Sequence, residues 1–213
     1  MKSGRLVIAM FMTLISISVF AQQGMRLMGP MHETLSELSA VKMTGDPDYD
    51  FATMISTHHK GGIEMLNEEI SNGSDHEVKA LAQRIKTNQE KELEELQKFV
   101  SDKTESQSND EFMKEMTKIL SKAKEQMSMN MNLTGNIDRD FITLMSIHHE
   151  HGIDMVNAEL KYGKDEDLKS LARRMLEDQE KERKELDALK NGSGMGKMKQ
   201  EISDSASSAI HYQ

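Results

Sequence analysis

The chain has 213 residues and a net charge of -9, with 19 Met, 8 His, no Cys and no Trp. The lack of Cys excludes disulfide staples, thiolate nucleophiles, zinc fingers and iron–sulfur clusters. An acidic chain with 4% aromatics argues against a nucleic-acid-binding surface, and 2 Pro and 13 Gly among abundant Glu, Lys, Leu and Met favour helices over a β-sandwich.

Residues 1–21 read as a signal peptide. Lys2 and Arg5 precede an apolar run from Leu6 to Phe20, and Val19-Phe20-Ala21 suits cleavage after Ala21. The run is shorter than the roughly 20 residues that a membrane span needs. The expectation is therefore an exported protein, periplasmic or secreted, with no membrane span after cleavage. A Met-rich segment, 22–45, comes next. Met25, Met28, Met31 and His32 cluster there, and a short helix is predicted over 31–43.

The remainder is a duplication. Residues 50–96 and 140–186 align without a gap at an offset of 90, with 23 of 47 positions identical. Each copy, 46–100 and 136–190, reads as a helix pair. The first helix starts at Asp46-Pro47 and stops at Asn72-Gly73. Ser74 with Glu77 reads as a capping box for the second. Between the copies a helix is predicted over 108–131, with Phe112, Met116, Ile119, Leu120, Ala123 and Met127 on one face. The tail, 191–213, is rich in Gly, Ser and Lys and is expected to be disordered. One helix pair cannot bury its own apolar stripe. The predicted fold is thus all-α, a four-helix bundle of 46–190 with pseudo-two-fold symmetry and a long helical connection lying against it.

Helical periodicity places the unusual residues. Phe51, Met54, Ile55, His58, Gly62, Met65 and Leu66 recur at three- and four-residue steps, so His58 and Met65 share the apolar stripe and His59 flanks it. The second copy repeats this with His148, His149, Gly152 and Met155, and adds His151. In the partner helices Gln89 and Gln179 lie within the stripe, and Glu92 and Glu182 at its edge. His58 precedes the Gly73 turn by about as many residues as Gln89 follows it, so antiparallel packing sets them at one height. A buried polar layer follows, made of His58, His59, Gln89, Glu92, His148, His149, His151, Gln179 and Glu182. Met54, Met65, Met145 and Met155 border it.

Such a layer needs a reason, and two compete. One is a metal held by imidazole and thioether, the latter selecting soft Cu(I). The other is a satisfied hydrogen-bond network that fixes register. Under the metal reading His58 and His148 lead, and Gln89, Glu92 and their copies serve equally well as partners orienting imidazole nitrogens. Met113, Met116 and Met127 fit ordinary core packing. For the Met127-Met129-Met131 and Met25-Met28-Met31 clusters, a Cu(I) or Ag(I) role and no role weigh equally.

The repeated His-His-x-x-Gly-Ile-(Glu/Asp)-Met helix, followed by a helix with Gln-Glu-Lys-Glu, resembles the domain of unknown function 305 family over about residues 46–190. The resemblance implies a ferritin-like fold, export, and an association of some members with copper binding and resistance. It points to His58, His59 and Met65, and to His148, His149 and Met155. The chain departs from the family pattern at Leu66 and Val156, where a small Ala is frequent, and at His151, present in one copy only.

The functional expectation is a binding protein without turnover that sequesters Cu(I), or Ag(I), or passes it to a metal-transfer partner protein. A ferritin-like di-iron oxidase or ferroxidase would need Glu-x-x-His on two helices, and no His here has Glu three residues before it. A metal-free structural or partner-binding helical protein is the third possibility.

Overall fold

The computed structural model describes residues 26–102, 107–129 and 133–192. The expected signal peptide, Met25, Met131, and the tail beyond Gly192 with Met195 and Met198 lie outside the described residues. Those described form six helices and no strand. They are α1 (26–40), α2 (Pro47–Asn72), α3 (His76–Asp102), α4 (Asp110–Ser128), α5 (Ile137–Tyr162) and α6 (Glu166–Gly192). None of these helices is long and apolar enough to cross a membrane.

Local chemistry sets the boundaries. The Asp46 carboxylate accepts the Tyr49 N–H at 3.1 Å with Pro47 opening α2, and Asn136 does the same for Arg139 N–H at 2.9 Å at the start of α5. These are side-chain caps on otherwise unpaired first-turn amides. At the start of α3 the cap is Asp75, whose carboxylate accepts from Glu77 N–H at 2.8 Å and Val78 N–H at 3.2 Å. The Ser74–Glu77 capping box does not form, because the Ser74 hydroxyl donates elsewhere, to Asp138. Asp165 caps α6 in the same way. Gly73 and Gly163 end α2 and α5 in extended rather than left-handed backbone. Their glycine is needed for space, since a Cβ at Gly73 would meet the Glu69 carbonyl oxygen at 2.6 Å and its carboxylate as well.

Two boundaries differ from the sequence reading. Gly29-Pro30 argues for a helix beginning near residue 31, yet burial of Leu27 and Met31 carries α1 back to residue 26. The inter-repeat helix ends at Ser128, with Met129 turning extended. That helix is also more than a connection. Asp50 accepts from Thr44 N–H (2.9 Å), Thr44 Oγ1 (3.0 Å) and Gly45 N–H (2.7 Å), and Asp140 accepts from Thr134 and Gly135 in the same pattern. Gly45 and Gly135, at φ of 90° and 76°, occupy the left-handed region that glycine tolerates best. The loops entering α2 and α5 are thus copies, and α1 leads into one as α4 leads into the other.

Helices α2 and α3 pack as one pair, α5 and α6 as the other, and α2 lies against α5 to join them; α4 rests on α5. The core falls into two apolar clusters. One gathers Phe51, Met54, Ile55 and Leu96 with Met155, Val156, Leu171 and Met175. The other gathers Met65, Leu66, Val78 and Ile85 with Phe141, Ile142, Met145 and Leu186. The first halves of α2 and α6 and the second halves of α3 and α5 build the former; the opposite halves build the latter. Midway along α2 and α5, between the clusters, stand His58, His59, His148 and His149.

Each end of this assembly is locked across the copies. From the first turn of α5, Asp138 accepts from Ser74 N–H (2.8 Å), Ser74 Oγ1's counterpart hydroxyl Oγ (2.7 Å) and Asp75 N–H (2.8 Å) in the α2–α3 turn. From the first turn of α2, Asp48 accepts from Lys164 N–H (2.8 Å) and Asp165 N–H (3.0 Å) in the α5–α6 turn. Glu69 is fully buried beside Asp138. Burial, then the Asp138 charge and the hydrogen bond between the two side chains, raise Glu69 from its ordinary 4.5 to about 8. Burial also opposes ionisation of Asp138, but hydrogen bonds from Ser74, Asp75 and Glu69 outweigh it and hold that carboxyl below its usual range. One proton held by Glu69 is therefore donated to a carboxylate. As pH rises from 4.5 towards 8, unfolded Glu69 has released its proton while folded Glu69 keeps it, so stability falls across that window. Glu69→Gln retains a donor without the titration. In urea denaturation it is expected to match the wild type at pH 4 and to be more stable at pH 9 by on the order of 3 kcal/mol.

Candidate functional site

The polar layer forms where helical periodicity sets it, and it has two parts with different chemistry. In the outer part His59 Nε2 meets Glu92 Oε2 at 2.8 Å and His149 Nε2 meets Glu182 Oε2 at 2.8 Å. A carboxylate only accepts, so Nε2–H is the donor and Nδ1 carries the lone pair. Glu182 also accepts from Asn88 Nδ2 at 2.9 Å. At the equivalent place in the second copy stands Asp178, whose carboxyl is pushed up by burial and by the charges of Glu92 and Glu182.

In the inner part His58 and His148 meet across the α2–α5 contact. Their rings stack with centroids 3.7 Å apart and planes inclined by 24°. His148 Nε2 donates to the His58 carbonyl at 3.1 Å, which leaves His148 Nδ1 as the lone-pair nitrogen. That atom and both ring nitrogens of His58 are buried without a hydrogen-bond partner. Burial, followed by the His148 ring, holds His58 far below the ordinary histidine range. Burial and the His149 ring do the same to His148, against the opposing bond to the His58 carbonyl. Both rings are thus neutral at pH 7, with lone pairs free for a ligand. Gly62 makes the close approach possible: a Cβ there would meet Gln89 Oε1 at 2.5 Å and His148 Cε1 at 2.7 Å. Gln89 Oε1 and both amide atoms of Gln179 are likewise buried and unpartnered.

The stacked pair floors a pocket of about 30 Å³ roofed by α1 and α4, close to the share of one water in the liquid. His151 and Met155 of α5 line it, with Met31 from α1 and Met127 from α4. No charged side chain does. His151 Nε2 hydrogen-bonds Gln126 Oε1, and burial lowers this ring too, against the charges of Glu150 and Asp154.

Of the residues expected at the site, His58, His148, His151 and Met155 converge on the pocket, while His59, Glu92, His149 and Glu182 form the outer pairs. Gln89 and Gln179 lie over Gly62 and Gly152. Met54, Met65 and Met145 are buried in the apolar clusters, away from the pocket lining. Met31, Met127, Gln126 and Asn88 come from helices whose docking no local pattern encodes. The Met character of α1 and α4 was the signal for the first two. Among the described residues, no three His, Cys, Asp or Glu side chains are gathered closely enough to hold an ion by themselves. A ligand set here has to combine imidazole with thioether. The unpartnered nitrogens at the pocket floor and the soft neutral donors around it fit a soft cation.

Comparison with known proteins places this arrangement. The family model described as domain of unknown function (DUF305) matches residues 20–100 and 48–190. A crystal structure of a DUF305 fragment from Deinococcus radiodurans is similar at 15% identity with a TM-score of 0.49, over 67% of this chain and 94% of that one. No curated protein matches significantly.

The depressed imidazoles have a consequence for stability. Below about pH 6.5 unfolded His58 and His148 take up protons while the folded rings stay neutral, so acid favours unfolding. Stability present above that pH is lost as pH falls. In the metal-free protein, a His58→Gln/His148→Gln variant is expected to lose on the order of 3 kcal/mol less than the wild type between pH 7 and pH 5 in urea denaturation. Parallel losses in the two proteins would contradict the assignment.

Proposed function

This chain belongs to the DUF305 family, and we propose that it is an exported binding protein for copper as Cu(I), with Ag(I) as an equivalent guest, on a ferritin-like four-helix bundle. The observation that carries this reading is the stacked His58–His148 pair, buried with unpartnered ring nitrogens at the floor of a pocket that Met31, Met127, Met155 and His151 also line. Buried polar atoms without partners are costly, and a soft cation supplies the partner that the fold withholds.

The charge of the donor set selects the ion. Neutral imidazole and thioether leave its full charge inside the protein, and the cost of burying charge grows with its square. A monovalent ion therefore costs about a quarter as much as a divalent one of the same size. Thioether favours Cu(I) over harder ions. Copper here is cargo, sequestered or passed to a partner protein. The signal-like segment 1–21 is the basis for placing the protein in the periplasm or outside the cell. His59–Glu92 and His149–Glu182 are satisfied without any ion, so the register-fixing network is the better account of that outer part.

The mature protein, titrated with Cu(I) against a chromophoric chelator, should bind one ion per chain, because both copies contribute to a single pocket. His58→Gln/His148→Gln, which preserves size, is expected to weaken binding by about 100-fold or more. It should also abolish the rise in melting temperature that a ligand of the folded state produces. Wild-type affinity in that variant would sink the site.

A further inference from the structure

The two copies differ at one position beside the layer, and the difference bears on how the pocket is reached. Gly61 and His151 correspond at the 90-residue offset. Over Gly61 the α1 helix sits directly on backbone, where a Cβ would collide with the Thr34 side chain. In the second copy the His151 ring fills that volume and ties α4 through Gln126. One side of the roof is sealed on a glycine; the other is seated on an imidazole.

The pocket lies between these two roof helices, with half-buried Leu35, Leu120 and Met127 around it. Of those three, only Met127 carries a donor atom for a metal. Inward of it burial deepens, with His151 at 7% exposure, His148 at 3% and His58 at 2%. An ion crossing an apolar opening must exchange its water for protein donors one at a time. A thioether at the opening assists a soft, weakly hydrated ion and does little for a hard one.

We infer that Met127 and His151 form a one-sided access route, the Met127 thioether receiving the soft ion and His151 relaying it to the His58–His148 pair. This rests on the binding role proposed above for that pair. A residue that only eases passage lowers the barrier equally in both directions. It changes uptake and release by the same factor and leaves the equilibrium affinity where it was.

The test is stopped-flow uptake of Cu(I) from a chromophoric chelator by the mature protein, with release measured by adding excess chelator. Met127→Leu, similar in shape, and Met127→Gln, similar in length, should each slow uptake and release together by about tenfold, with affinity held within about threefold. Zn(II), offered as a hard comparison ion, should show no such dependence on residue 127. Wild-type rates in both variants would overturn the route. So would faster release at unchanged uptake, since Met127 would then be a holding ligand. A wild-type protein that takes up no Cu(I) would remove the binding role and the route together, whereas normal binding with unaltered variant rates removes the route alone.

Discussion

Two imidazoles stacked 3.7 Å apart, with unpaired ring nitrogens and no water-facing edge, are the constraint around which this molecule is organised. Each buried nitrogen without a partner costs roughly 1–3 kcal/mol. Such an arrangement persists only where the surroundings leave the rings no alternative. Gly62 admits the opposite ring, the His58 carbonyl fixes the tautomer of His148, and apolar clusters close both ends of the layer. The outer pairs, His59–Glu92 and His149–Glu182, spend their hydrogen bonds on anchoring α2 to α3 and α5 to α6. The inner pair is left over, held in place by neighbours that do not satisfy it.

Duplication explains why the rings meet. When two copies pack about a pseudo-two-fold axis, a residue near that axis encounters its own counterpart. A single histidine at the right height of one helix thereby becomes a pair. The ends of the molecule keep that axis in register. Asp138 and Asp48 each cap the interhelical turn of the other copy, so a slip of α2 along α5 would strand first-turn carboxylates at both ends. The proton shared by Glu69 and Asp138 adds a directional bond where two carboxylates alone would repel. The same symmetry is broken in a few places only, at Gly61 against His151 and at Asn88 against Asp178, and those places decide which face of the layer is open.

Much of this was legible in the chain because it depends on local periodicity. The stripe of Phe51, Ile55, His58 and Gly62 and its copy give helix faces, and counting residues from Gly73 sets the histidines level with Gln89 and Glu92. Less legible was anything requiring a third helix. Met65 shares a stripe with His58 yet turns into one apolar cluster, while Met155, its counterpart, lines the pocket. The difference arises because α1 and α4 roof one face of the layer. Side chains equivalent in sequence thus face different surroundings. The capping error at Ser74 has the same origin: its hydroxyl is a good local cap, but Asp138 from the other copy offers a charged acceptor, and Asp75 takes over the cap.

The separation of carboxylates from thioethers gives the layer its selectivity. Glu92 and Glu182 approach the imidazoles only from the outer side, through Nε2 of His59 and His149, and no charged side chain lines the pocket. Had either carboxylate reached the His58–His148 pair, a divalent ion would have found its charge offset there and a thioether would have been the weaker donor. Holding both acids one imidazole away orients the outer rings and still leaves the inner donors neutral. A cavity built this way discriminates by charge before it discriminates by size. Its preference for a soft monovalent guest follows from where the fold withholds negative charge as much as from the sulfur and nitrogen it presents.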